Sequence, residues 1–451
     1  MNENQNEFNR RDFLKGGSVA TVMAMLGGVE LFAQTADTST APTGNKTRVA
    51  LIGCGAWGRD ILKMLGRLEQ AQVVALCDTY PSAMRRCAAD APGARQVSNV
   101  EEIFADKTVQ AVIIATPTHK HRELVVAALK AGKHVYCEAP LANTIEDAKA
   151  IAQAAQAAPR LIFQAGLQMR SDPQRLFLLP FIRSGALGTS IMARAQWHKM
   201  QSWRAASPNP DREKAINWRL ERATSTGLIG EIGIHQLDQA GWFLNGRPKA
   251  VTGFHSLVHW KDGRDVPETV QAVFEFPNGV QLTYDVSLAN SFDADYEIYY
   301  GTYAAVMMRE NRAWMFKEVD SPLLGWEVYA QKETFHNETG IALVAGGSKQ
   351  ENLKPKTDAE SKLKASPLYA ALQTFLYNVY EQDAAIQNFT DAFGADEAAL
   401  MEHLKAEVEP KRKAAASAVD GFNATVTAIK ANEAVLAGGR VEFKDEWYQL
   451  T

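Results

Sequence analysis

Two patterns in this chain could do chemistry. The first is "GEIGIHQLDQAGWFL", residues 230–244, in which Glu231 stands four residues before His235. On an α-helix that spacing puts both side chains on one face, where one can orient or polarise the other. An imidazole titrates near ~6.5, which makes His235 a natural general base. A buried histidine satisfied by a neighbouring carboxylate would show the same spacing, so the pair alone leaves catalysis and helix packing both open. Asp238 falls on the adjacent face, as a ligand or a structural residue. The second pattern is "GCGAWG", in which Gly53, Gly55 and Gly58 form G-x-G-x-x-G. The first glycine permits a tight turn, the second lets backbone approach a pyrophosphate, and the third lets helix pack on strand.

The motif gains weight from the elements on either side. The apolar run Val49 to Ile52 reads as a strand, and Ile61, Leu62 and Leu65 follow with helical spacing. Ala56 and Trp57 belong to the same phosphate-binding turn, which opens a helix N-terminus. A second strand, "AQVVALCD", ends at Asp78, about 20 residues beyond Gly58, where an acid bonds the adenosine ribose and repels a 2′-phosphate. That favours NAD; Arg85 and Arg86 downstream keep NADP open. "VQAVIIATPTHKH" and "KHVYCEAPL" continue the strand–helix alternation, which predicts a parallel, doubly wound sheet with its ligand at the strands' C-terminal ends.

Between the two patterns lies "QWHKMQSWRAASPNPDREKAINWRLERATSTG", with His198, Lys199, Trp203, Arg204, Trp218 and Arg219. Aromatic faces and forked polar donors suit a carbohydrate, so the cluster reads as a substrate wall. Taken singly, each residue could equally be core or a rim ion pair. Alternating apolar runs beyond it, including "VQAVFEFPNGVQLTYDVSL" with a tight "PNG" turn, read as strands of another sheet.

The chain has 451 residues, 46% of them hydrophobic, and a formal charge of −4, which gives no pull toward nucleic acid or an anionic membrane. The four cysteines form no CxxC pair and no zinc-like cluster, so no metal site or disulfide framework is expected. The N-terminus reads "NRRDFLKGGSVATVMAMLGGVELFAQTA". Arg10 and Arg11, then Phe13, Leu14 and Lys15, precede a Gly/Ala-rich run too short and mild for a stable membrane anchor. This matches a twin-arginine export signal over residues 1–36, with a flexible lead-in over 37–46, and implies a periplasmic or otherwise exported protein. That route carries folded proteins, which points to a tightly held cofactor.

"GCGAWG", "ATPTHKH", "AGKHVYCEAPLANTIEDAKAI", "SGALGT" and "EIGIHQLD", in this order, resemble the Gfo/Idh/MocA oxidoreductase family. The similarity runs from about Lys46 to Arg264 and resumes in "DGFNATVTAIKANEAVLAGGRVEF". It implies an α/β architecture: a Rossmann domain over 47–165, then a substrate and oligomerisation domain over 166–451 on a large, open, mostly antiparallel sheet. A helical insertion is expected over about 366–419, covering the active site or making an oligomer contact. The resemblance implies a homodimer or homotetramer through the sheet. It places Thr116, Pro117, His121 and Glu138 on the nicotinamide side, with a cis peptide before Pro140 aiming Glu138 at the nicotinamide ribose. It makes His235 the base that takes a proton from a secondary sugar hydroxyl as hydride leaves the carbon.

One departure stands out. The family's Glu-Lys-Pro reads Glu-Ala-Pro here, and Ala139 can neither stabilise an alkoxide nor pass a proton. Three readings follow: His235 works alone with Glu231 as its orienter; Lys199 or Arg170 supplies the missing cation; or the overall reaction differs, as in an NAD-dependent glycoside hydrolase working by transient oxidation and elimination. A catalytically inactive nucleotide- or sugar-binding protein is the remaining alternative. Arg170 and Asp238 are also counted with the substrate-binding residues.

Overall fold

A computed structural model describes residues 46–310, 312–324, 327, 332–335, 338–343 and 366–451. The export signal and most of the lead-in lie outside them. The first sheet is built from β1 (Thr47–Ile52), β2 (Ala71–Cys77), β3 (Arg95–Val97), β4 (Ala111–Ile114), β5 (His134–Cys137) and β6 (Phe163–Ala165), in the order β3-β2-β1-β4-β5-β6. All its pairings are parallel. This is the order of a dinucleotide-binding sheet. Its central strands are buried on both faces, which is why they read as unbroken apolar runs rather than as alternation.

The second sheet comprises β7 (Ser190–His198), β8 (Ala250–Ser256), β9 (Thr269–Glu275), β10 (Gln281–Ser287), β11 (Asp295–Gly301), β12 (Ala304–Arg309), β13 (Arg312–Lys317), β14 (Lys332–Phe335), β15 (Glu338–Leu343) and β16 (Val441–Glu442). Its order is β14-β15-β13-β12-β11-β7-β10-β9-β8-β16, antiparallel except between β7 and β10. Here burial alternates, as in β9 and β10, because one face packs on helices and the other does not. The "PNG" hairpin is formed, with Gly279 at φ +82.

Helix Ala418–Ala437 ties the two halves together. Its start is fixed by a capping box between Ser417 and Asp420, and its end by the left-handed Gly438. Thr425 Oγ1 accepts the amide of Leu141 at 3.0 Å. One continuous core then runs from Val112 and Val135 of the first sheet through Phe422 and Val426 to Phe274 and Leu282 of the second.

The helical insertion starts at Pro367, capped by Ser366, and its first helix extends to Phe393. Its first helix packs behind the nucleotide sheet. Leu372, Phe375 and Leu376 complete the core behind the nucleotide sheet, with Phe375 edge-on to Tyr136 at 5.8 Å. Gln164 Nε2 donates to the carbonyl of Ala371 at 2.9 Å, and His134 Nε2 meets Asp383 Oδ1 at 2.9 Å. Its Ala-rich sequence reads as surface, yet the apolar stripe of its first half is core.

Candidate active site

The phosphate end is shaped by contacts too close for a side chain. Gly53 has φ +102, and a Cβ there would lie 2.5 Å from the carbonyl oxygen of Ala115. A Cβ at Gly58 would lie 2.1 Å from the carbonyl oxygen of Gly53, whereas Gly55 faces open space. Ala56 and Trp57 open the helix Ala56–Leu65, whose first amides point at that space. Asp78, at the end of β2, accepts the amides of Cys54 at 2.9 Å and Tyr80 at 2.8 Å. These bonds fix its carboxylate beside the glycine turn.

The nicotinamide end collects polar atoms without partners. Thr116 Oγ1 and Glu138 Oε1 are buried and make no hydrogen bond. Burial pushes the Glu138 carboxyl up to about 7, against the pull of the Trp57 indole, the Ala139 amide and the Arg219 charge. Orphaned polar atoms at the C-terminal ends of parallel strands, beside a glycine cradle, fit a bound dinucleotide. The Ala139–Pro140 peptide is cis.

His121, expected beside the nicotinamide, instead sits in the wall. Its ring is buried between the carbonyls of Pro140 and Thr116, each 3.0 Å from a ring nitrogen. Burial pushes its pKa down to about 4. It latches the turn after β4 to the turn after β5.

The cleft's other wall is the helix Ile234–Phe243, entered through a π-turn at Ile229–Gly233. The π-turn alters the expected relation of Glu231 to His235, because its i→i+5 bonding widens the helix there. Glu231 Oε1 accepts the amide of Thr226 at 3.1 Å and its hydroxyl at 2.9 Å. Thr118, from the nucleotide domain, donates to Glu231 Oε2 at 3.2 Å. Arg219 Nε lies 3.7 Å from the same oxygen. None of these bonds goes to His235, so Glu231 is not its orienter in this structure. His235 is half-buried, its Nδ1 has no partner, and burial pushes its pKa down to about 4. It is therefore neutral at ordinary pH.

Arg219 brings a cation into the cleft. Its guanidinium lies over Trp218 at 4.6 Å and Trp203 at 5.8 Å from the ring centroids. Its charge pulls down both Glu138 and Glu231, whose carboxyls burial pushes up. The two cations expected to replace the missing lysine are placed otherwise. Arg170 forks onto Asp238 at 2.8 and 2.9 Å and meets Asp420 at 2.9 Å. That clamp braces the helix carrying His235 and uses Arg170 and Asp238 on each other. Lys199 is exposed at the end of β7.

Of the remaining wall residues, His198 pairs with Asp285 at 2.5 Å and Arg204 with Asp262 at 3.0 Å. Both are thereby engaged by carboxylates of the second domain. Sequence reasoning missed Thr118, Thr226 and His119. The first two hold Glu231, and His119 stands edge-on to Trp218 at 6.2 Å with its Nδ1 unpartnered. Thr118 and His119 lie inside "ATPTHKH", but nothing in their spacing shows a reach across the cleft.

Residues 47–166 match the model of an oxidoreductase family described as an NAD-binding Rossmann fold, and residues 180–305 match the GFO/IDH/MocA C-terminal domain. A 1,5-anhydro-D-fructose reductase of Ensifer adhaerens is 30% identical over 265 residues, covering 58% of this chain and 75% of that one. The chain belongs to the GFO/IDH/MocA oxidoreductase family. Another member, inositol 2-dehydrogenase 2 of Saccharopolyspora erythraea, is 28% identical over 55% of this chain and 68% of its own. Among solved structures of the same fold, levoglucosan dehydrogenase in complex with NADH and levoglucosan superposes with TM-score 0.66 at 19% identity, covering 88% of this chain and 99% of that one. An oxidoreductase domain protein from Kribbella flavida gives 0.67 at 17% identity, over 89% and 100%. This family member also carries a twin-arginine translocation signal at residues 7–27, so it is exported by that pathway. Among the described residues no helix is long and apolar enough to cross a membrane.

The raised Glu138 carboxyl gives a stability prediction for the NAD-free protein. Its folded pKa of about 7 exceeds the ordinary 4.5, so its contribution is full below 4.5 and is lost as pH rises through 7. Glu138→Gln removes that loss. The variant is expected to be more stable than the parent at about pH 8, by up to about 3 kcal/mol, with the gap closing below about pH 5. Urea denaturation across this range checks it; a gap that grows on acidification contradicts the buried-acid account.

Proposed function

We propose that this protein oxidises a secondary hydroxyl of a cyclic sugar or polyol with a tightly held NAD. The observation that carries the reading is the orphaned Glu138 oxygen, in the field of the Arg219 charge, at the end of the glycine cradle, with an unpartnered neutral His235 on the helix that follows Glu231. NAD, when bound, supplies the hydride acceptor. Gly53, Gly55, Ala56, Trp57 and Gly58 would hold its pyrophosphate, Asp78 its adenosine ribose, and Thr116, Pro117, Glu138 and Pro140 its nicotinamide side. Asp78 argues for NAD over NADP through repulsion of a 2′-phosphate.

His235 takes the hydroxyl proton on its free Nδ1 or on Nε2, which it can do because burial has removed the competing proton. Arg219 stabilises the oxygen as negative charge builds on it, the task that Ala139 cannot perform. Glu231 does not act on the proton. It positions Arg219, and through Thr118 it ties the catalytic helix to the nucleotide domain. Trp203 and Trp218 offer apolar faces to the sugar and hold the guanidinium flat. His198, Lys199, Arg204, Arg170 and Asp238 lie outside this set and shape the wall behind it.

Arg219→Met is expected to lower kcat about 100-fold or more with a smaller change in KM, and Arg219→Lys to restore part of it. A loss confined to KM would assign Arg219 to binding alone. The reaction type is tested on protein purified with its cofactor, against nitrophenyl glycosides and free sugars, following reduced nicotinamide and released nitrophenol together. Reduced nicotinamide without aglycone release is expected. Sustained aglycone release with no net reduction would identify a glycoside hydrolase instead.

A further inference from the structure

The segment from Trp203 to Ala223 is rooted in the second domain but reaches across to the first. At its roots Arg204 binds Asp262 at 3.0 Å, and Arg222 Nε donates to the carbonyl of Asp265 at 2.8 Å. Between them it is stiffened on itself. Asn217 accepts the amide of Ala205 and donates to its carbonyl, both at 2.8 Å, and Glu213 accepts the amide of Ser207 at 3.1 Å. Its short helix Pro210–Ile216 buries no residue fully, so the helix is not part of a core.

The outward contacts fall in a line. Arg212 lies over the ring of Tyr80 at 4.4 Å, just after β2. Trp218 meets His119, just after β4, and Asn143 Nδ2, just after β5, donates to the carbonyl of Ala223 at 3.1 Å. The ends of β2, β4 and β5 mark the adenosine-to-nicotinamide course of a dinucleotide on such a sheet. Tyr80 gives its amide to Asp78, so the Arg212 contact sits at the adenosine end. Between the segment and Gly263 and Arg264 is a cavity of about 370 Å³, lined on the segment's side by Arg204, Ser207, Lys214 and Asn217, so that face of the segment is not close-packed.

We propose that residues 203–223 form a strap over the dinucleotide groove, with Arg212 on Tyr80 as the clasp at the adenosine end, so that the cofactor enters and leaves only when the strap lifts. This rests on the NAD-dependent reading above. A strap differs kinetically from an extra ligand contact: it obstructs entry and exit alike, whereas a contact slows exit alone.

The test is stopped-flow association and release of NAD, followed by tryptophan fluorescence on the whole exported chain. Arg212→Ala, Tyr80→Leu and the double variant are each expected to speed both association and release about tenfold, with Kd changing much less. The double variant should do no more than either single, since one cation–π contact is lost in each. Unchanged rates would overturn the strap, as would faster release alone with a proportionate rise in Kd. Should either variant fold poorly, Arg212→Cys with Tyr80→Cys, joined by a short bis-maleimide after loading, should abolish release; free exchange in the joined protein would overturn the proposal. Failure of the parent protein to bind NAD at all would remove the reading beneath it, an outcome separate from the rest.

Discussion

His235→Ala is expected to cut turnover by about 10³-fold while leaving NAD binding within about twofold, since a positioned base contributes on the order of 10²–10⁴. The argument rests on the surroundings of the imidazole. Burial holds it neutral, its Nδ1 is unpartnered, and no carboxylate bonds to it. A histidine serving only packing would be held by its neighbours, as His121 is between the carbonyls of Thr116 and Pro140, to one of which its single N–H donates. The cofactor cradle lies on the other wall of the cleft and keeps its geometry in the variant. Nicotinamide reduction in a single turnover, paired with titration of NAD, separates the two effects. Unchanged turnover would falsify the assignment of the base.

Gly58→Ala is expected to abolish NAD binding and to lower the melting temperature by several degrees. The added Cβ would meet the carbonyl oxygen of Gly53 at 2.1 Å and its carbon at 3.1 Å, with Leu51 Cδ2 at 3.5 Å. The obstacle is backbone, so relief requires the helix Ala56–Leu65 to move off β1, at a cost of about 1–3 kcal/mol or more. Gly55→Ala makes the contrast. Nothing lies within 4 Å of its Cβ, so stability should hold while NAD affinity falls, because the methyl group occupies the pyrophosphate's approach. Calorimetric titration and thermal denaturation of both variants check the pair. Equal behaviour of the two would mean that the glycines serve packing alone.

The parts of the site that follow local rules were legible in the sequence. The glycine turn, the fully buried strands and the helix that carries His235 each depend on neighbours a few residues away. Glu231 was legible as a residue and illegible as a role. Its partners Thr118 and Arg219 come from separate elements, and the π-turn that redirects its side chain leaves no periodic signature. Arg170 and Asp238 looked like two free site residues; only the fold reveals them as one ion pair, 68 positions apart. The packing of the helix after Pro367 was illegible for a different reason. Its apolar stripe is diluted by alanine, and the surface it covers is the back of a sheet formed some 200 residues earlier. The placement of Arg219 was hidden likewise, since its contacts with Trp203, Trp218 and Glu231 exist only in the fold.

The measurement that tests the central claim most directly follows deuterium. Protein purified with its bound NAD is mixed with carbon-deuterated glucose, myo-inositol and 1,6-anhydroglucose, and the nicotinamide is released and weighed. Reduced nicotinamide carrying one deuterium from a carbinol carbon, formed in the parent and suppressed in His235→Ala, is the predicted result. Reduced nicotinamide without deuterium, or equal deuterium in parent and variant, would contradict hydride abstraction assisted by His235.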